Sequence, residues 1–252
     1  LVVEWRDYRV LVDPMLSAQG TMMPFRWLAH PRRRNPTVPL PATADALLAT
    51  VTHALITHCQ RGHVDHLDSV GIRFLRDRSL PVFCSESDAG WLCQRGLQVV
   101  ALGGDGPQPF FDGTIRRVPC RHGHGWIARL MANGSGYFID VPGEPTLYIS
   151  ADTVLTSSVR AALRDLRPDV TIVAAGSAQL EVGKPILMTL AEVLELIALA
   201  PGVVVANHLE ALDHCPTTRH ALAEAARARG LDHKLRIPAD GEIIDLTAPQ
   251  SH

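Results

Sequence analysis

No C-x-x-C pair occurs among the five cysteines, Cys59, Cys84, Cys93, Cys120 and Cys215, which are odd in number and widely spaced. That argues against a disulfide framework and fits a reducing compartment. No apolar run is long enough to span a bilayer, because the longest are broken by Glu192, Glu195 and Pro201. No signal peptide is visible, which agrees with a cytoplasmic location. Neither sign of charge dominates: a formal charge of −2 offers no general attraction to nucleic acid or anionic membrane. No internal repeat, low-complexity segment or linker-like composition divides the chain. With 252 residues, 46% hydrophobic and 20% charged, the expectation is one globular domain over residues 1–252 with a sizeable core.

What the chain does have is a stretch where an apolar run ends in ligand-type side chains. Leu55-Ile-Thr-His-Cys-Gln-Arg-Gly-His-Val-Asp-His-Leu-Asp68 carries His58, His63 and His66 with Asp65 and Asp68. Imidazoles and carboxylates suit zinc and similar cations, and a turn lets several of them converge. Cys59 is a further candidate ligand, since a cation deprotonates a nearby thiol.

Around this stretch the chain alternates strands and helices. Leu1 to Trp5 and Tyr8 to Val12 form a hairpin about Arg6-Asp7, and the second strand ends at Asp13. Asp13 is either a turn-former or a carboxylate that orients a metal-binding histidine. Met15 to Pro41 lack periodicity and read as a long rim loop. In it Met22, Met23, Phe25 and Trp27 are placed to wall a pocket, and Arg32, Arg33 and Arg34 either meet an anionic group or form a solvated run. A short helix near Thr43, a strand over Ala54 to Thr57, a helix from Asp65 to Arg78, and strand, helix and strand from Pro81 to Leu102 follow. Strands are expected at Ile115 to Pro119, Gly136 to Val141, Thr146 to Ser150, Asp169 to Ala175 and Val203 to His208. Thr189 and Glu192 form a capping box for a helix ending near Leu199, and Thr217 to Arg229 make the last helix. Several strand ends carry ligand-type residues. His122 and His124 lie in Cys120-Arg-His-Gly-His-Gly125, Asp152 closes Tyr148-Ile-Ser-Ala-Asp, and His208 closes Val203-Val-Val-Ala-Asn-His.

Together these marks resemble the metallo-β-lactamase superfamily, and within it the bacterial ascorbate-phosphate lactonases and related metal-dependent hydrolases. The markers are Leu-Val-Asp13-Pro, Thr57-His58 leading to His63-Val-Asp65-His66, Pro119-x-x-His122-Gly, Ser150-Ala-Asp152-Thr, Met188-Thr189 and Asn207-His208, in the family's order over nearly the whole chain. The resemblance implies an α/β (α+β) four-layer αββα sandwich with the ligands at one edge of two sheets. It also implies that His58, His63 and His122 hold one divalent metal, that Asp65, His66 and His208 hold a second, and that Asp152 bridges them. Zinc is the expected ion, with manganese or iron as alternatives. One departure stands out. The usual His-x-His-x-Asp-His becomes His58-x4-His63-x-Asp65-His66, so an ungapped alignment puts Arg61 at the first position. Either the extra residues bulge and His58 still reaches the metal, or the first site lacks a ligand; Gly62 permits the bend and favours the bulge.

The expected chemistry is hydrolysis. Two cations lower the pKa of a bridging water to present hydroxide at neutral pH and polarise the attacked oxygen. Asp65 is a candidate proton acceptor, and His124 and His214 are candidate groups facing the substrate. The expected substrate is a small ester or lactone, or a phosphodiester, anionic if the arginine run faces the pocket. The alternatives are a non-catalytic or mononuclear binding protein on the same fold, a nucleic-acid phosphodiesterase, which the charge disfavours, and a thiol hydrolase using Cys59 or Cys120. No nucleic-acid or membrane partner is expected, and the oligomeric state, a homo-oligomer included, stays open.

Overall fold

The first two strands form the expected hairpin. In the computed structural model, which describes residues 1–28, 30–60, 63–131 and 134–246, β1 (Val2–Trp5) and β2 (Tyr8–Val12) pair antiparallel with Trp5 opposite Tyr8. The rim loop then runs to α1 (Ala44–Thr50) with, among the described residues, one bridge of its own, Met22 to Asn35. The next elements are β3 (His53–Ile56), α2 (Ser69–Asp77), β4 (Pro81–Ser85), α3 (Glu86–Cys93) and β5 (Gln98–Leu102). They complete a five-stranded sheet in the order β1-β2-β3-β4-β5, parallel from β2 onward.

A second sheet follows. It is built from β6 (Gln108–Phe110), β7 (Gly113–Pro119), β8 (Ser135–Asp140), β9 (Leu147–Ile149), β10 (Val170–Ala174), β11 (Val203–Asn207) and β12 (Leu235–Arg236). Helices α4 (Ser157–Ala161), α5 (Leu190–Leu199) and α6 (Arg219–Ala228) lie between its later strands in sequence. Spatial order is β12-β11-β10-β9-β8-β7-β6, with β9 to β12 parallel and β6 to β9 antiparallel.

Strand alternation sorts the side chains into three apolar layers. Val10, Val12 and Leu55 point inward and meet Ile115, Tyr137, Ile149, Ile172 and Val205 of the other sheet. Their neighbours Leu11, Ala54 and Ile56 point outward and pack with Leu75 of α2 and Leu92 of α3. On the far side Tyr148, Val173, Val204 and Ala206 pack with Val193, Leu196 and Ile197 of α5 and Leu222 of α6. Three layers of contact between two sheets and two sets of helices make the four-layer αββα sandwich.

Some boundaries differ from expectation for local reasons. Helix α2 begins at Ser69, not at Asp65, because the Asp68 carboxylate accepts from Gly71 N at 2.7 Å and caps the helix there. Asp65 and His66 therefore lie in the turn before the helix. Thr218 caps α6 in the same way through Ala221 N, so that helix starts at Arg219. Strands β6 and β12, three and two residues long, are edge strands whose sequences carry little pattern of their own. Gly71 itself is required: a Cβ there would lie 2.0 Å from the Pro14 carbonyl, so only glycine lets α2 meet the end of β2.

Asp68 also accepts from Ser17 N at 2.7 Å and so pins the start of the rim loop to α2. Asp68→Ala removes both bonds and should destabilise the protein by about 2–4 kcal/mol in urea unfolding, the sum of a lost cap and a buried unpaired N–H.

Candidate metal centre

Parallel pairing brings the ligand-bearing strand ends to one edge. Strands β2 and β3 are parallel, as are β9, β10 and β11; β7, two antiparallel steps from β9, runs in the same direction as β9. Their C-terminal ends carry Asp13, His58, Asp152, His208 and His122. Asp13, Ala151 and His208 have φ of 50°, 55° and 52°, the left-handed region that L side chains rarely adopt. Each turns the chain sharply as it leaves its strand, and such backbone is typical of functional sites. Behind the last turn, a Cβ on Gly176 would lie 2.1 Å from the His208 carbonyl, so glycine is obligatory there as well.

Two groups of donor atoms result. His58, His63 and His122 form one, and Asp65, His66, Asp152 and His208 the other, the atoms of each lying within 4.8 Å of one another. The groups adjoin. Asp152 Oδ2 is 3.1 Å from His66 Nε2, 3.6 Å from His122 Nε2 and 3.7 Å from His208 Nε2, so one carboxylate oxygen stands between them. The rings of His58 and His66 have centroids 4.0 Å apart. Among the described residues, His58 Nε2, His63 Nε2, His208 Nε2 and Asp152 Oδ1 are buried without a hydrogen-bond partner. Buried polar atoms are ordinarily paired, and orphans converging on one point fit a cation that completes them.

The other nitrogen of each of the five rings is engaged, which aims Nε2 inward. His66 Nδ1 donates to Asp13 Oδ2 at 2.8 Å, and His122 Nδ1 donates to the Ile186 carbonyl at 2.8 Å. His63 Nδ1 donates to the Gln60 carbonyl, and His208 Nδ1 lies 3.4 Å from Cys215 Sγ. His58 Nδ1 is 3.0 Å from Thr57 Oγ1, whose hydroxyl donates to Asp13 Oδ2 at 2.7 Å, while Thr57 N donates to Asp13 Oδ1 at 2.8 Å. Asp13 thus orients one histidine of each group, the second of the two roles open to it. The partners Thr57 Oγ1, Cys215 and the Ile186 carbonyl carry no signal that a reading of residue types could use.

Electrostatics follow from burial and this crowding. Burial opposes the charge of His66, but Asp152, Asp13 and Asp65 outweigh it and hold the imidazole well above its ordinary range. The same proximity works on the acids. Against burial, His66 and His208 hold Asp152 well below the usual carboxylate range, and His66, His214 and His208 hold Asp65 below it. Burial, with His66 next in weight, pushes His58 well below its ordinary value, and burial lowers His122.

His214 joins the centre and His124 does not. His214 is buried, its Nε2 is 3.9 Å from Asp65 Oδ2, and its ring meets Phe25 edge-on at 4.7 Å. Burial lowers its pKa to about 4. His124 Nε2 instead lies 3.2 Å from Glu192 Oε2, the residue that closes the capping box of α5. Cys59 is in neither donor group: it sits in the apolar layer beneath the first sheet, and burial together with the Asp88 carboxylate pushes its thiol far up. Cys120 donates to the Ser150 carbonyl at 3.3 Å and burial raises it to about 12, which removes the thiol-nucleophile alternative. Arg61 and Gly62, the residues on which the bulge turned, lie outside the described residues.

Two members of the arginine run, and two of the expected wall, take their places within the rim loop. Arg34 donates to the carbonyls of Gly20 and Thr21, and Arg32 donates to the Trp27 carbonyl and lies over its ring, so both guanidinium groups serve the rim loop itself. The loop is docked by Asp213, which accepts from Phe25 N, Arg26 N and Asn35 Nδ2. Glu181 accepts from Trp27 N and Leu28 N, and two residues on, a Cβ at Gly183 would meet Ile127 at 3.2 Å and Trp126 at 3.8 Å. Trp27, Trp126 and Val182, at 51%, 58% and 65% exposure, come from the three segments that meet there.

A two-sheet sandwich with a histidine and aspartate centre at one edge is the arrangement of the metallo-β-lactamase fold. A model of the β-lactamase superfamily domain matches residues 8–209, and the chain belongs to that superfamily, among its metal-dependent hydrolases. It is 28% identical over 247 residues to the UPF0173 protein YddR of Bacillus subtilis, covering 96% of this chain and 94% of that one. It is 26% identical over 186 residues to a UPF0173 metal-dependent hydrolase of Xanthobacter autotrophicus, covering 69% and 67%. Among solved structures, an isothiocyanate hydrolase from Delia radicum gut bacteria superposes with a TM-score of 0.85 at 29% identity, covering 96% and 94%. Among the described residues no helix is long and apolar enough to cross a membrane.

Two outcomes test the centre. Asp13→Ala should weaken metal binding by about 10–100-fold in competition titrations, because two histidines lose their orienting partner. The metal-free ion pairs also have a definite sign with pH. The lowered Asp65 and Asp152 stabilise the fold above the ordinary carboxylate pKa, and that contribution is lost as pH falls through their folded values. The raised His66 stabilises it below about 6.5, and that contribution is lost as pH rises through its folded value. A metal at His66 Nε2 would compete with the proton that the flanking carboxylates favour there. Calorimetric titration near neutral pH in two buffers of different ionisation enthalpy should therefore show net proton release, with affinity rising with pH.

Proposed function

We propose that the protein binds two divalent metal ions, zinc or alternatively manganese or iron, and hydrolyses a small neutral substrate at an electrophilic carbon. The observation that carries this is the convergence of the unpartnered His58, His63 and His208 Nε2 atoms with Asp152 Oδ1. In this reading His58, His63 and His122 would hold one ion and Asp65, His66 and His208 the other, with Asp152 standing between the two groups. Because donors come from both sheets, residues 1–252 act as one domain. Such ions supply a water acidified toward neutral pH and polarisation of the attacked group.

The chain's own residues do the rest. Asp65, kept ionised by the surrounding histidines, is the carboxylate able to take up the proton of the attacking water. His214, neutral at pH 7, borders Asp65 and is backed by Phe25, so it contributes an imidazole rather than a charge to the substrate side. His124 acts at one remove, through its contact with Glu192 at the start of α5.

The substrate class follows from the rim. Trp27, Trp126 and Val182 offer apolar surface, and Arg32 and Arg34 are committed to the loop, which favours a neutral ester or lactone over a phosphodiester. The likeness to an isothiocyanate hydrolase supports the same class, since an isothiocyanate also presents an electrophilic carbon to water.

Protein purified without chelator is expected to carry two metals by elemental analysis, falling toward one in His58→Ala. It is expected to turn over lactones, esters or isothiocyanates in preference to phosphodiesters. Chelation, His66→Ala or Asp152→Ala should each lower turnover by at least about 10³-fold, the several kcal/mol that metal assistance provides. A wild type with one metal or none, unchanged by His58→Ala, would point to a mononuclear or binding protein.

A further inference from the structure

We propose that Gln60, clamped by Asp88 of α3, is the positioning residue through which the irregular first motif delivers His63 to the metal centre. The inference rests on the reading of His58, His63 and His122 as one metal site. Four residues separate His58 from His63, and β3 has already ended at Ile56. No strand ladder therefore fixes where His63 comes to lie.

What holds it is Gln60. The Gln60 carbonyl accepts from His63 Nδ1 and, at 3.4 Å, from His63 N. That bond leaves Nε2 of His63 directed at His58 and His122, with ring centroids 4.4 and 5.1 Å away. A backbone carbonyl orients a ligand only as well as its own residue is held, and the Gln60 side chain supplies the hold. Its Nε2 donates to Asp88 Oδ1 at 2.8 Å and to the Ser87 carbonyl. Asp88 is itself fixed: it is 4% exposed, and its other oxygen accepts from Ser85 Oγ at 3.0 Å. A hydrogen bond to a buried carboxylate is stronger than one between neutral groups. The preceding residue, Cys59, is buried in the apolar layer against the first sheet, so the first two of the four intervening residues are tied down. The centre is thus linked through Gln60 to α3, which follows β4, the neighbour of β3.

The test compares Gln60→Ala, Asp88→Ala and Asp88→Asn with wild type. Zinc content is read by elemental analysis, zinc affinity by competition with a chromophoric chelator, and thermal unfolding of the metal-free proteins is recorded alongside. Gln60→Ala and Asp88→Ala are expected to weaken one of the two bound zinc ions by about 10–100-fold, as for other partners of metal-binding histidines. Asp88→Asn is expected to retain wild-type affinity, because its amide oxygen still accepts from Gln60 and its amino group can donate to Ser85 Oγ. Gln60 is only half-buried, so its alanine variant should unfold at nearly the wild-type temperature, separating lost positioning from lost folding. Two zinc ions at wild-type affinity in Gln60→Ala would overturn the clamp. Fewer than two in the wild type would overturn the dinuclear reading beneath it, and the two failures are distinguished by the wild-type measurement alone.

Discussion

The Asp13 carboxylate is the constraint on which the centre depends. It accepts from Thr57 N, Thr57 Oγ1 and His66 Nδ1, and through the Thr57 hydroxyl it reaches His58. One group at the end of β2 thereby sets a histidine in each donor set. It does so from a left-handed backbone position, φ 50°, that costs conformational energy and is held by the adjoining strand β3. Three donors, His66 Nδ1 among them, compensate the partial burial of this carboxylate.

The sandwich makes this possible by directing strand ends. Two sheets with a shared apolar layer place the C-terminal ends of β2, β3, β7, β9 and β11 at one edge, and each contributes one side chain to a small volume. Asp65, Asp152 and five histidines, His58, His63, His66, His122 and His214, are there nearly or fully excluded from water. Their mutual proximity lowers the pKa of Asp152 and Asp65 and raises that of His66, each against the opposing effect of burial. The rim is tied to the same region. The loop from 15 to 41 is fastened by Asp213, next to His214, so Phe25 of the loop and the histidine that borders Asp65 are positioned by one hydrogen-bonded junction.

Elements with their own periodicity and punctuation were legible in the sequence. The hairpin at Arg6-Asp7, the Thr189-Glu192 capping box and the apolar strands before His58 and His208 each state their structure locally, because turn chemistry, caps and apolar runs act over a few residues. The short edge strands β6 and β12 were not legible, since pairing with a neighbour defines them. The start of α2 was misplaced by four residues because Asp68, not Asp65, caps it.

The same division holds for the centre. Histidine and aspartate at successive strand ends declare a ligand inventory by residue type alone, and the chain by itself determined that inventory. The tertiary structure decided which candidates meet: it brought His214 to Asp65, turned His124 to Glu192, buried Cys59 in the core and committed Arg32 and Arg34 to their own loop. It also decided that a four-residue spacing still leaves His63 beside His58, through contacts of Gln60 with a helix 28 positions further along. Ligand chemistry resides in single residues, whereas convergence depends on hydrogen bonds and packing between segments far apart in the chain.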